Sequence, residues 1–156
     1  MPLLKQGRIV EDKWTAAEGD PFPDGPILVG LGTWRAHRDE LSARRAPVGV
    51  RLRADDDPEE LAGYLNVIDL IALEFPAFTD GRAYSAARVL RDRLAYAGEL
   101  RAVGNVLRDQ FVFMHRCGFD SLEVEDEGAV AAWRQAIGEI SGTYQPAVRE
   151  VEAVRR

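Results

Sequence analysis

The segment from Glu74 to Ser85 holds the densest group of residues with chemical potential. The acidic Glu74 precedes Asp80 and Arg82, and Arg88 follows on the same stretch of chain. Arginine forks and free backbone N–H groups at a helix start bind small anions, and a carboxylate such as Glu74 can move a proton. We therefore take Glu74 as a candidate catalytic residue. The ligand-binding candidates here are Asp80, Arg82 and Arg88. The structural alternative is that Asp80 caps a helix and Arg82 pairs with Glu74.

A second polar group follows at Arg101, Asn105 and Arg108. Arg101 alternates with apolar neighbours, so its side chain is expected to lie on the opposite face of a strand from theirs. A buried arginine needs an anionic partner, and Glu74, one strand away, is the expected one. The three residues are candidate ligand-binding residues, and a structural ion pair between Arg101 and Glu74 is the alternative.

His115 and Cys117 stand close together, but residues two apart on a helix point in different directions. His115 is a candidate catalytic acid or base, and the alternative is a helix-end histidine that interacts with the helix dipole. Cys117 continues an apolar stripe with Phe111 and Met114, which predicts a buried core cysteine. As the single cysteine, it forms no intrachain disulfide, in keeping with a reducing compartment.

Composition and motifs exclude several classes of function. A net charge of -6 argues against nucleic-acid binding, and no apolar run is long enough to span a bilayer. One cysteine and two separated histidines give no metal-ligand spacing, so no metal is expected. Gly30-Leu31-Gly32 lacks the third glycine of a dinucleotide fingerprint and no Walker sequence occurs, which leaves any cofactor unknown. The start of the chain has no signal-peptide pattern, so the expected compartment is the cytoplasm.

The elements that must position these residues are repeated strand-then-helix units. Apolar runs predict five strands, at residues 27–30, 48–52, 70–75, 100–103 and 121–124. Thr33, Asp57, Asp80 and Asn105 are the predicted caps of the helices that follow the first four strands. The third helix is predicted over 80–96, with Gly98 as its left-handed stop, and Gly118 ends the fourth. Val130, Trp133, Ile137 and Ile140 mark the buried side of the last helix.

About five mainly parallel strands that alternate with helices define an α/β fold, arranged either as a partial (β/α) barrel or as a doubly wound open sheet. The whole chain, 1–156, is expected to form one domain. Residues 1–26 are an N-terminal arm and loop, with a strand or hairpin between Gly7 and Trp14, and residues 143–156 are a tail that either packs or frays. A partial barrel would leave sheet edges exposed, which favours a homodimer.

Long runs of residues also carry a family resemblance. They are Glu74-Phe75-Pro76, Phe78-Thr79-Asp80-Gly81-Arg82, Tyr84-Ser85, Ala87-Arg88, Gly98-Glu99-Leu100-Arg101-Ala102-Val103-Gly104, Leu107-Arg108-Asp109-Gln110 and His115-Arg116-Cys117-Gly118-Phe119-Asp120. With these runs the chain resembles a bacterial family of unknown function. That family typically sits beside genes for assimilatory sulfite reductase and phosphoadenylylsulfate reductase and carries the label of an oxidoreductase of sulfite reduction. The likeness extends over nearly the whole chain.

The resemblance implies a place in sulfur assimilation. Together with the candidate residues it gives three functional expectations, the second of which rests on Arg82, Arg101 and Arg108 holding charge and on Glu74 or His115 moving a proton. The first is an accessory protein of sulfite reduction that docks onto sulfite reductase or its electron donor. The second is an enzyme or carrier for a small oxyanion or sulfur metabolite, held in an Arg-rich pocket. The third, following the family label, is a flavin- or nicotinamide-dependent oxidoreductase. The absence of a nucleotide motif from the sequence ranks this third reading last.

Overall fold

One mixed sheet forms the centre of the computed structural model, which describes residues 2–77 and 80–141. In these residues the sheet has eight strands, three more than the five predicted from apolar runs. They are β1 (Leu3–Lys5), β2 (Arg8–Val10), β3 (Thr15–Ala16), β4 (Ile27–Gly30), β5 (Val48–Leu52), β6 (Leu70–Phe75), β7 (Glu99–Gly104) and β8 (Ser121–Glu123). The three additional strands all come from the N-terminal arm, where the sequence predicts only one strand or hairpin.

The strand order selects between the two predicted layouts. It runs β2-β1-β8-β7-β6-β5-β4-β3, and β3 to β8 are mutually parallel while β1 is antiparallel to both of its neighbours. A doubly wound sheet reverses direction at a switch point, whereas β4 to β8 follow one another without reversal. Right-handed crossovers then place the connecting segments on one face of the sheet. The doubly wound alternative is therefore wrong, and the sheet is a curled half-barrel.

The curl of the sheet follows from the length of one connection. β2 and β3 lie at opposite ends of the strand order, yet only residues 11–14 separate them in the sequence. That connection can span at most about 18 Å, whereas a flat sheet of this size would hold its outer strands about 33 Å apart. The sheet must bend until its two edges come within reach of each other. We call residues 11–14 the strap.

The outer face of the sheet carries the helices and most of the core. The helical segments are α1 (Leu31–Ala36), α2 (Arg38–Ser42), a 3₁₀ helix (Pro58–Val67), α3 (Arg82–Arg88), a π-helical turn (Val89–Arg93), a 3₁₀ turn (Arg108–Gln110), α4 (Phe111–Arg116) and α5 (Ala129–Ser141). Alternate strand residues such as Val50, Ile71 and Leu100 pack against buried helix residues that include Trp34 and Phe111. Cys117 belongs to the same core, as predicted.

Two helical segments depart from the predicted α-helical form. The segment after β5 begins as predicted, with Pro58 in its first turn and the Asp57 carboxylate accepting a hydrogen bond from the Glu59 backbone N–H at 2.9 Å, but it continues as a 3₁₀ helix. The predicted helix 80–96 is shorter, because α3 passes into a π-helical turn that ends at Arg93. Ala95, with φ of 55°, is the left-handed residue there, so the assignment of that role to Gly98 was wrong.

Three predicted helix caps are also wrong. Helix α3 begins at Arg82 after Gly81, so Asp80 lies one position before the cap. Thr33 lies inside α1, where its hydroxyl donates to the carbonyl oxygen of Glu18 at 2.9 Å, and the helix begins after Gly30. Asn105 precedes no helix directly, because the chain first forms the 3₁₀ turn and α4 begins only at Phe111. Gly118, with φ of 99°, follows α4 as predicted.

Two further predictions concern the end of the chain and the membrane. The side chain of Ile140 and the tail 143–156 lie outside the described residues. Ile137 is buried in α5 as predicted, whereas Val130 and Trp133 are partly buried against the core. Among the described residues, no helix combines the length and apolar character that crossing a membrane requires.

Candidate functional site

The concave inner face of the half-barrel carries a layer of charged residues. Strand pairing sets Arg51, Ala72, Arg101 and Ser121 side by side on β5 to β8, and Lys5 of β1 pairs with Ser121. Paired residues on neighbouring strands point to the same face, so this whole row faces away from the helices. The inner face is therefore the part of the molecule where strand alternation concentrates charge.

Arg101 lies at the centre of this face and is almost fully buried, with 4% of its side chain exposed. Its guanidinium contacts Asp12 of the strap at 3.2 Å, Glu99 at 3.4 Å and the hydroxyl of Ser121 at 3.3 Å. Lys5 and the Ser121 hydroxyl also donate to Glu99, at 3.0 and 2.7 Å. Arg101 thus lies on the predicted face of the strand, where it is buried and paired. Its predicted partner Glu74 is wrong, because the carboxylates it contacts are those of Asp12 and Glu99.

Glu74 lies near the carboxyl end of β6, on the same inner face. Its carboxylate accepts a hydrogen bond from Arg51 at 2.7 Å, and the pair is partly open, with 28% of Glu74 and 39% of Arg51 exposed. The predicted pairing of Glu74 with Arg82 is therefore wrong. Ligands in parallel α/β folds usually bind at the carboxyl ends of the strands, so this pair lies where the fold class places chemistry.

The loop after β6 turns two of the candidates toward each other. The Asp80 carboxylate accepts hydrogen bonds from the Arg82 backbone N–H at 3.0 Å and from its guanidinium at 2.6 Å. These bonds lower the pKa of Asp80 to about 2, the side-chain bond being the main cause. Phe78 and Thr79 lie outside the described residues. Asp80 therefore supports the first turn of α3 and occupies Arg82 at the same time.

The remaining candidates lie apart from one another. Asn105 is exposed, and its backbone N–H donates to the carbonyl oxygen of Phe75 at 2.7 Å. Arg108 pairs with Asp126 at 2.8 Å on the surface. Arg88 is exposed at the end of α3. His115 lies in α4 on the helical side of the sheet, where its ring meets that of Trp133 edge-on at 5.5 Å between centroids.

Within the part of the chain that the structure describes, the predicted site residues thus do not share one set of contacts. Glu74 and Arg101 share the inner face, but each has its own partners, and His115 lies in the helical layer on the other side of the sheet. The described residues contain no group of three or more histidine, cysteine or acidic side chains that could hold a metal ion. Around Arg101, the inner face neutralises buried charge and ties the N-terminal arm to the sheet through Asp12 and Lys5.

Four inner-face residues were missed by sequence reasoning: Arg51, Glu99, Ser121 and Asp12. A signal existed for Arg51, because it alternates with Val50 and Leu52 on β5 as Arg101 alternates with its neighbours on β7. Glu99 and Ser121 stand at strand ends, where alternation is harder to assign. Nothing local marks Asp12, because its role depends on where the strap crosses the sheet.

Comparison with known proteins gives one match. A family model described as a bacterial protein of unknown function (DUF934) matches residues 49–155, well over half of the chain. No curated protein and no solved structure matches.

Proposed function

The chain belongs to this bacterial family of unknown function, and on that premise we propose that it is an accessory protein of assimilatory sulfite reduction. In this role it docks onto sulfite reductase or onto the electron donor of that enzyme. The gene neighbourhood implied by the sequence resemblance supports the pathway. The internal pairing of the inner-face charges supports a role in which the outer surface of the protein binds its partner.

The observation that carries the proposal is the internal pairing of the inner-face charges. Arg101 is buried against Asp12 and Glu99, and Glu74 is held by Arg51. Breaking a buried ion pair by removing one partner typically costs about 3–5 kcal/mol, so Arg101 is poorly placed to release its carboxylates for a substrate. If these charges serve the structure, the outer surface of the molecule is the part that contacts sulfite reductase or its electron donor.

The first surface position to vary is Phe113 in α4. It is the exposed large hydrophobic side chain of the described residues, with 42% of its surface open. Its ring lies 4.5 Å from that of Tyr84 between centroids, and the Tyr84 hydroxyl donates to Gln110 at 3.1 Å. Aromatic side chains with one open face are enriched at protein interfaces, so this is the first contact to test.

The test is an interaction measurement with defined components. Tagged protein is used to capture partners from sulfate-grown cells, and purified sulfite reductase and its electron donor are then titrated separately against the purified protein. We expect saturable binding to one of them and weaker binding by Phe113→Ala. The matched control is Phe111→Leu, which changes the buried aromatic of the same helix and leaves the surface unaltered. No binding to either component, together with normal sulfite reduction in a deletion strain, would refute the proposal.

The two alternative functions have less support. An Arg-rich pocket for a small oxyanion requires Arg82, Arg101 and Arg108 to converge, whereas the three meet different carboxylates. A flavin- or nicotinamide-dependent oxidoreductase would give a coloured protein or a nicotinamide-induced thermal shift. A colourless protein with no such shift would remove that alternative.

The predicted homodimer is a separate proposal. β2 and β3 are the outer strands of the sheet, and each has a neighbouring strand on one side only among the described residues. Sedimentation at several protein concentrations tests it. We expect a dimer that dissociates on dilution, and a monomer at every concentration would refute it.

A further inference from the structure

Arg51 has a small residue on each side of it in its row of the inner face. Gly30 of β4 and Ala72 of β6 pair with Arg51 in the sheet, so the three positions lie on the same concave face. Gly30 is exposed, and a Cβ added there would meet no described atom within 4 Å apart from those of its chain neighbours. Open space therefore lies on the inner face directly beside Arg51.

Arg51 leaves most of its hydrogen-bonding capacity unused. Its one hydrogen bond within the described part of the chain runs from Nη2 to Oε2 of Glu74, at 2.7 Å. A guanidinium carries several further N–H donors. The buried side-chain nitrogen atoms that lack a partner among the described residues belong to Arg38 and Arg44. The unused N–H groups of Arg51 are therefore open to solvent, in keeping with the 39% exposure of its side chain.

Glu74, the other member of the pair, is open in the same way. Within the described residues only its Oε2 accepts a hydrogen bond, which leaves Oε1 for a ligand, and 28% of the side chain is exposed. The pair therefore presents N–H donors and a carboxylate oxygen next to each other. It differs in this from Arg101, which is 4% exposed and contacts both Asp12 and Glu99.

Leu28 adds an apolar surface to the same region. It precedes Gly30 by two residues on β4, so it lies on the same face of the sheet, and its side chain is partly exposed. The space over Gly30 thus has Leu28 on one side and the charged pair on the other. A ligand with a charged head group and a small apolar side chain matches these surroundings.

The neighbouring charges decide which head group suits the pair. Arg53 follows β5 with Asp55 at 4.0 Å, and continuing the strand register sets Glu123 of β8 level with Glu74, two strands away. At least three carboxylates therefore accompany the guanidinium groups of Arg51 and Arg53. Such surroundings disfavour a lone anion, whereas a zwitterion brings no net charge and offers an ammonium group to the carboxylates.

We propose that this part of the inner face binds a zwitterionic α-amino acid with a small apolar side chain. The carboxylate of the ligand accepts hydrogen bonds from the unused N–H groups of Arg51, and its ammonium group donates to Oε1 of Glu74. Its side chain lies over Gly30 against Leu28. The bond between Arg51 and Glu74 stays intact, because the ligand uses only the capacity that the pair leaves free. The proposal does not depend on the role in sulfite reduction.

The test follows the Nε–H signal of Arg51 in the full chain by ¹H–¹⁵N NMR, with Arg51→Lys used to assign that signal. L-Leucine, glycine, acetate and methylammonium are titrated at constant ionic strength, with sodium chloride as the reference. We expect saturable binding of L-leucine, and about ten-fold weaker binding of glycine, which lacks the apolar side chain. Acetate and methylammonium each carry half of the head group and should bind about ten-fold more weakly than glycine.

Two variants separate the parts of the site. Glu74→Gln removes the acceptor of the ammonium group and releases Arg51, so it should bind L-leucine about ten-fold more weakly, and acetate more tightly, than the parent protein. Gly30→Val fills the space beside Arg51 without removing a charge, and it should abolish the binding of L-leucine. The φ of -75° at Gly30 is one that valine adopts without strain.

Gly32→Val is the matched control, because it adds the same side chain to an exposed glycine with open space around it, in α1 instead of on the sheet. This variant should bind L-leucine like the parent protein. Three results would overturn the proposal: shifts with L-leucine that match those with sodium chloride, equal binding of acetate and glycine, or unchanged binding of L-leucine by Gly30→Val.

Discussion

Replacing Arg101 with alanine is expected to destabilise the fold strongly. Removal of one partner from a buried ion pair costs about 3–5 kcal/mol, because the other charge stays buried without compensation. Here Glu99 would keep its bonds from Lys5 and Ser121, and the second carboxylate, on Asp12, is 42% exposed. We therefore expect the lower end of the range, a loss of about 3 kcal/mol. For a chain of this length that corresponds to a melting temperature lower by about 6–12 °C.

Urea denaturation followed by tryptophan fluorescence measures this loss, because Trp34 is buried in the core. Asp12→Ala removes the exposed partner alone and should lower the unfolding free energy by about 0.5–1 kcal/mol. Arg82→Ala is the matched surface control, since Arg82 is an exposed arginine paired with a neighbouring carboxylate, and its urea midpoint should equal that of the parent. The double variant of Arg101 and Asp12 should be less destabilised than the sum of the single changes.

The reasoning fails if Arg101→Ala and Arg82→Ala have the same urea midpoint. A stable Arg101→Ala variant would mean that the buried network contributes no net stability. Arg101 would then not be needed for stability, and a ligand-binding role for Arg101 in the parent protein, which its burial and pairing argue against, would gain support. A larger loss from Asp12→Ala than from Arg101→Ala would show instead that the strap acts through contacts other than this ion pair.

Three further predictions follow from single residues. Gly104→Ala should destabilise the protein by about 1–3 kcal/mol more than Gly25→Ala in urea denaturation. Both glycines have positive φ, but only at Gly104 would the added Cβ meet the Phe75 carbonyl oxygen, at 2.6 Å. Equal losses of stability in the two variants would contradict this. Arg91→Lys should lower the unfolding free energy by about 2 kcal/mol. The Arg91 guanidinium donates to three backbone carbonyls and one carboxylate, and a lysine cannot reproduce this set of hydrogen bonds. An unchanged urea midpoint would disprove the prediction. Burial raises the pKa of Tyr84 to about 12. The protonated Tyr84 side chain therefore makes its full contribution to the free energy of unfolding below pH 10, and this contribution is lost as the pH rises through 12. A Tyr84→Phe difference titration of tyrosinate absorbance should therefore show a step near 12, and a step near 10 would count against burial.

The parallel strands of the sheet could be predicted from the sequence because they carry local signals. β4, β5 and β6 have the predicted bounds, since each is a short apolar run that turn-forming residues interrupt. The face of the strand on which Arg101 lies was also predictable, because alternation along a strand fixes which face a side chain occupies. Both results rest on neighbours in the sequence and require no knowledge of the tertiary fold.

The form of the helices depends on contacts that the sequence does not announce. Asp57 and Pro58 correctly predict where the segment after β5 starts, but the segment continues as a 3₁₀ helix that buries Leu61. The predicted long helix ends early because Arg91, in the π-helical turn, binds the carbonyl oxygen of Gly118 and the carboxylate of Asp120, both more than twenty-five residues away. Local propensity is a weak guide where such distant contacts set the backbone.

The partners of the charged residues were harder still to predict. Alternation assigns Arg101 to the inner face, but several carboxylates lie on that face, and Glu74 on the neighbouring strand was the simplest choice. The strand register instead sets Arg101 level with Ala72 and Ser121, while Glu74 is level with Val103. Glu74 is therefore two residues further along the strand, where Arg51 reaches it.

The contact between Arg101 and Asp12 joins two features of the fold that the sequence presents separately. The strap is short, so the sheet can form only if it curls, and the strap then crosses the concave face. Asp12 on the strap meets Arg101 there, at the point where an uncompensated buried charge would be most costly. Closing the half-barrel therefore brings Arg101 a second carboxylate beside that of Glu99, and the same ion pair ties the strap to the sheet.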